Sequence, residues 1–230
     1  MKFYLGAYYL IKLRDSSDLD SLRKYLYTPS TCINDSLLDG WSLSWVKTTT
    51  RELKEASENF SITSDEIKEI QLWTDQKFNE EELGWLNVFY NLETLWKYKK
   101  FFKNLGQDVK TLAIYFSEEE KDRFLKEFDF EGKSTGSFGL ETMLSKQIEE
   151  SQEGTTIGYD LIGVEFSGDF HTFYCHHMAE DLKSKFGVEI NEYGLIEDCK
   201  DWSNLIKYMN DDETGCEPVP WFYAKVKLIE

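Results

Sequence analysis

The sequence predicts a single α+β domain, residues 1–230, with a largely antiparallel or mixed sheet packed by several short helices. Three observations carry this expectation. Runs rich in β-branched and aromatic residues recur at 1–13, 109–116, 156–166 and 220–229. Helical apolar spacings fall between them without a strict strand–helix–strand rhythm, which disfavours a doubly wound parallel sheet. Hydrophobic residues at 41% and aromatics at 16% are too many for a disordered chain.

Residues 1–13 are apolar enough to raise the question of a signal peptide. Gly6 interrupts the run, which ends in Lys12 and Arg14 with no small-residue cleavage site, so a buried first strand is expected. Leu19, Leu22 and Leu26 suggest a short helix over 18–27, ended by Pro29. Alternation in Trp41-Ser42-Leu43-Ser44-Trp45-Val46 suits a half-buried strand. Thr63-Ser64-Asp65-Glu66 reads as a capping box that opens a helix ending near Asn79. Residues 84–90 suit a strand or a helix entry. Leu92, Leu95, Trp96 and Phe102 mark a helix over 92–105, with Gly106 as its stop and four lysines near its carbonyl end.

Ser117-Glu118-Glu119-Glu120 reads as a second capping box, opening a helix to Phe128. Residues 132–139 are expected to be a flexible loop and 140–148 a short helix. The Gly132-Lys133-Ser134-Thr135 run echoes the end of a phosphate-binding loop. Glu127 stands where that motif needs its first glycine, and the preceding segment is acidic, so the match fails. Asp169 is expected to cap a helix running to about Phe186, with Gly187 as its stop. A short strand over 188–195 and a helix over 202–209 precede the last strand.

Charge narrows the function classes. The net charge of −17 disfavours nucleic acid and anionic membrane surfaces as direct ligands. Nearly all of it belongs to one half: residues 1–115 carry a net −2 and residues 116–230 a net −15. No stretch of about 18 apolar residues is present to span a membrane. Cys32, Cys175, Cys199 and Cys216 lack paired spacing, so four free thiols in a reducing cytoplasm are expected.

All three histidines lie within seven residues, at His171, His176 and His177. On the expected helix, His171 and Cys175 stand at i and i+4. That spacing suits two metal donors, or a thiol and its base, although a complete metal site needs further ligands. Helical projection sends His176 to solvent. A core histidine bonded to Asp160, Glu165 or Asp169 is the plainer expectation for His171. No calcium loop is present, and one sequence cannot select a glycosidase pair from 43 acids.

Tyrosine and tryptophan among acids make interface anchors. Glu189, Glu192, Tyr193, Glu197, Asp198, Asp211, Asp212, Glu213 and Trp221 are the candidate partner-binding residues. The expectation is a non-catalytic, cytoplasmic protein-binding module that needs no cofactor or metal. It would dock a basic protein, in the manner of a bacterial inhibitor or immunity protein against a nuclease-like toxin. The competing expectation is a hydrolase or metal-binding enzyme with its site around His171, Cys175 and His177.

Overall fold

The computed structural model describes residues 1–37, 58, 62–86, 88–103, 105–127, 135–165 and 169–229. The expected strand at 41–46 lies outside them. The strands are β1 (Phe3–Lys12), β2 (Asp35–Ser36), β3 (Val88–Phe89), β4 (Val109–Ser117), β5 (Thr155–Val164), β6 (Phe170–Thr172) and β7 (Trp221–Ile229). The helices are α1 (Ser64–Asn79), α2 (Leu92–Lys99), α3 (Glu118–Glu127), α4 (Thr135–Ser145), α5 (Ala179–Phe186) and α6 (Trp202–Met209). Among the described residues these strands form one sheet in the order β2-β1-β4-β7-β5-β6, with β3 also paired to β1. Every pairing is antiparallel, and the expected α+β class is what the chain forms.

Alternation along β1 divides the interior between two cores. Ala7, Tyr9 and Ile11 enter the main core, while Leu10 enters a second one built with Ile67 and Ile70 of α1 and Leu95 and Tyr98 of α2. Both faces of the strand are covered, which is why it reads as a continuous apolar run. The last strand, β7, lies between β4 and β5 and bonds to both, so the acidic half and the nearly neutral half share one sheet.

The sheet is curled. Strand β2 lies at one edge and β6 at the other, and a flat sheet would set them ~24 Å apart. Instead the rings of Tyr9 on β1 and Phe170 on β6 are 5.0 Å apart, and Thr31, before β2, reaches Asp169 at 3.4 Å. Two register shifts accompany the bend, one at Gly6 and one beside Gly158. Gly158 has φ +144°, and a side chain there would meet Leu195 Cβ at 2.7 Å. Glycine satisfies both constraints.

Several helix expectations hold. Thr63 and Glu66 form a reciprocal capping box on α1, and α6 covers the expected residues. The second box is only half made: Ser117 Oγ accepts the Glu120 amide at 3.2 Å, but the Glu120 carboxylate binds Arg123 and the Tyr223 amide instead of turning back.

Other segments depart from expectation. Residues 18–27 make turns, because the Asp20 carboxylate takes the Leu22 amide at 2.9 Å, in competition with a helical ladder, and Leu22 is left exposed. Helix α2 ends at Lys99, before the expected 105. The expected loop 132–139 lies partly outside the described residues, and its end begins α4. In place of a strand over 188–195, Ile190 makes one isolated bridge, to Ile196. The helix expected from Asp169 begins only at Ala179: Phe170–Thr172 pairs with β5, since Phe170 and Thr172 are buried and His171 alternates between them.

Two stability predictions follow from close packing and burial. A Cβ at Gly139, inside α4, would lie 2.0 Å from the buried Tyr90 ring. Replacing a helical glycine by alanine usually helps by ~1 kcal/mol, but here G139A should cost about 1–3 kcal/mol by overpacking, read from urea unfolding. Asp160 on β5 is fully buried, and desolvation, weakly offset by the Leu161 amide, holds its carboxyl well above the usual range. The folded state therefore keeps a proton that the unfolded chain releases above its ordinary pKa of about 3.9, so this group lowers stability as pH rises. The advantage of D160N over the wild type should accordingly grow between pH 4 and pH 7; a constant difference would contradict it.

Candidate functional site

The two sheet edges meet at a seam, and each supplies part of a polar cluster. On the β2 side, the buried Asn34 side chain donates to the carbonyls of Leu26 and Thr28 at 2.8 and 3.0 Å and accepts the Arg14 amide at 3.3 Å. The Ser30 carbonyl accepts the amides of Ile33 and Asn34, closing one tight turn. Cys32 sits on this turn. Its amide donates to Ser30 Oγ at 3.2 Å, and the Arg14 guanidinium holds its carbonyl at 2.7 Å. The backbone is thus fixed while the residue stays exposed.

On the β6 side, the β5–β6 hairpin is closed by the Glu165 amide donating to the Asp169 carbonyl at 2.9 Å. His171 lies opposite Gly163 in the ladder. After β6 the chain makes a tight turn over Phe173–His176, where Cys175 Sγ accepts the Thr172 amide at 3.3 Å. His171 and Cys175 therefore come from a strand and the turn that follows it. They do not share a helix face.

At the seam, Cys32 Sγ lies 3.9 Å from His171 Nδ1, and His171 Nε2 lies 2.7 Å from Glu165 Oε1. Cys175 Sγ is 3.6 Å from Ser30 Oγ. The ligand atoms of Cys32, His171 and Cys175 all lie within 4.8 Å of one another, as do those of Glu165, His171 and Glu217. The Glu165 carboxylate fixes the proton on Nε2 when the ring is neutral, so that Nδ1 presents its lone pair to the sulfurs.

The electrostatics follow from these contacts. Cys175 and His171 beside Cys32 hold its thiol well below the usual range. Cys32 and Glu165 raise His171 to about 9, against the opposing effect of burial. The proximity of Cys32, together with burial, pushes the Cys175 thiol up. Asp169 is 9% exposed, and burial lifts its carboxyl to about 7. Its Oδ1 is buried without a hydrogen-bond partner among the described residues, as are Tyr9 Oη, Thr28 Oγ1 and Thr172 Oγ1. The result is a thiol and an imidazole, the latter oriented by a carboxylate, with a second sulfur beside them. Such a set can attack an electrophile or bind a soft divalent ion.

Glu165 is the partner that His171 takes among the three acids considered. Cys32 is the member that sequence reasoning missed: it lies 139 residues from His171 and no local pattern marks it. His176 is half-buried rather than solvent-directed. Its ring meets Trp221 edge-on with centroids 5.8 Å apart, and its Nε2 accepts the Glu217 amide at 3.4 Å. His177 adopts a left-handed backbone, φ 55°, is exposed, and lines a cleft of about 770 Å³ with Asp20, Glu180 and Glu189.

The candidate partner-binding residues divide among three settings. Glu189, Glu197 and Asp198 line a cleft of about 450 Å³ together with Asp201, and Glu192 is exposed on the adjoining turn. Asp211 and Asp212 line another cleft of about 240 Å³ at the far end of α6, with Glu213 exposed beside them. The aromatic members depart from expectation. Trp221 is fully buried at the start of β7, because its indole packs inside the main core and donates to the Glu217 carbonyl at 3.2 Å, so it presents nothing to a partner. Tyr193 is half-buried and packs edge-on against Tyr27 at 5.2 Å.

In reduced, metal-free protein at pH 6, Cys32 should be alkylated by iodoacetamide ahead of the other three cysteines. Its thiolate persists as pH falls, whereas burial raises Cys199 and Cys216. H171A should slow Cys32 alkylation about tenfold, read by peptide mass spectrometry; equal rates at all four thiols would contradict this. No protein-family model, curated protein or solved structure matches the chain.

Proposed function

We propose that the chain is an acidic binding module that docks a basic protein and masks it, in the manner of an immunity protein that neutralises a nuclease-like toxin. One observation carries the reading. Residues 180–217 hold eleven acids against four lysines, and the ion pair that the described residues make there is Lys185–Asp181 at 2.8 Å. Acids that are not neutralised internally leave a field available to a partner. They gather at both ends of α6, with Asp201 at its start and Asp211 and Asp212 past its end, ~15 Å apart along the helix axis. A protein that binds nucleic acid carries a basic face for the phosphates, and an acidic surface of this extent is complementary to it.

The test is interferometry against a panel of purified basic nucleases at about 50 and 500 mM salt. Binding to at least one member is expected, with an association rate that falls roughly tenfold or more with salt. Reversing Glu189, Glu197 and Asp198 to lysine should weaken it about tenfold or more. A partner that proves acidic, or binding indifferent to both salt and charge reversal, overturns the reading.

A second reading, a thiol-dependent hydrolase, draws on the alignment of Cys32, His171 and Glu165. Turnover of an activated ester that is lost in C32S would favour it.

A further inference from the structure

The seam offers two sulfurs and one imidazole nitrogen from opposite edges of the sheet, and we propose that Cys32, Cys175 and His171 form a binding site for a soft divalent cation of the zinc class. The proposal is independent of the docking surface. It rests on the donor set, its spacing and the support behind it.

Thiolate sulfur and imidazole nitrogen are the ligands zinc prefers. Metal–ligand distances of ~2.3 Å to sulfur and ~2.0 Å to nitrogen place tetrahedral neighbours about 3.5–3.8 Å apart. Cys32 Sγ and His171 Nδ1 are 3.9 Å apart, and the three donors lie within 4.8 Å of one another, so small rotations of side chains bring them onto one ion. The backbone need not move. Asn34 fixes the turn that carries Cys32, and the β5–β6 ladder fixes His171.

The support behind the ligands is also present. A metal-bound histidine usually donates its other N–H to a carboxylate, which sets the tautomer and strengthens the ligand. His171 has that arrangement: Nδ1 faces the sulfurs and Nε2 faces Glu165 at 2.7 Å. The Asp169 carboxyl nearby is nearly buried, and its Oδ1 lacks a partner among the described residues, while Thr31 donates to Oδ2 at 3.4 Å. Because Cys32 is exposed, the fourth position would open toward solvent. Three protein ligands with one open position suit a water or an incoming ligand. The ion would tie the two sheet edges together.

Cobalt(II) reports the donor set directly. The full chain, reduced and stripped with chelator, is titrated with Co(II) and then Zn(II). One equivalent should bind, with a thiolate-to-cobalt charge-transfer band in the near ultraviolet and visible bands of tetrahedral strength, all abolished by Zn(II). C32S, at an exposed position, should keep the wild-type circular dichroism and weaken binding at least 100-fold. E165Q, at a group that supports a ligand without being one, should weaken it about 10–100-fold, whereas C216S should leave it unchanged. Zinc should also slow alkylation of Cys32 and Cys175 at least tenfold while sparing Cys216. Binding weaker than about 1 mM, a cobalt spectrum without the charge-transfer band, or full affinity in C32S overturns the proposal.

Discussion

The curl of the sheet is the constraint on which the rest of the structure depends. Strands β2 and β6 are the two ends of a six-strand path, yet the chain segments beside them touch. Strand twist alone bends a sheet, but closing its edges needs local relief from regular pairing. The irregularities at Gly6 and beside Gly158 supply it. At Gly6 the missing side chain also admits the Phe116 ring, which would lie 2.6 Å from a Cβ. Bending at these two places lets the Phe170 ring pack against Tyr9 and bury the space between the edges.

The consequences are chemical as well as structural. Closing the edges brings loop and hairpin side chains into a partly dry setting where sulfur, imidazole and carboxylate act on one another. Among the described residues, hydroxyls of Tyr9, Thr28 and Thr172 and one carboxyl oxygen of Asp169 are buried there without hydrogen-bond partners. Buried polar atoms without partners are costly, and those at the seam are the kind of local expense that functional sites carry. The acidic surface has a different origin. It belongs to α5, α6 and the turns around them, where side chains are exposed and charge has little influence on packing.

Much of the fold was legible because local rules governed it. The Thr63–Glu66 box starts α1, and the apolar runs of β1, β4, β5 and β7 survive as strands. Failures came where tertiary context prevailed over periodicity. Phe170, Tyr174, Met178 and Leu182 have helical spacing, but pairing of Phe170–Thr172 with β5 pre-empts a helix there. Trp221 looked like an anchor because its neighbours are prolines and acids, but its place at the start of a central strand buries it. His171 was recognisable as a candidate from the histidine cluster. Cys32 was not, because its partner lies on the opposite sheet edge, and strand order is not encoded in local pattern.

The edge-to-edge closure predicts a specific signature in solution. Nuclear Overhauser contacts between the ring protons of Tyr9 and Phe170 test it most directly, since the ring centroids are 5.0 Å apart. In an open, flat sheet the strands that carry them would be ~19 Å apart, beyond the reach of any such contact. Strong Tyr9–Phe170 cross-peaks in the reduced, metal-free protein are the predicted result. Their absence, with β1 still paired to β4 and β6 to β5, would contradict the closed seam and the site built on it.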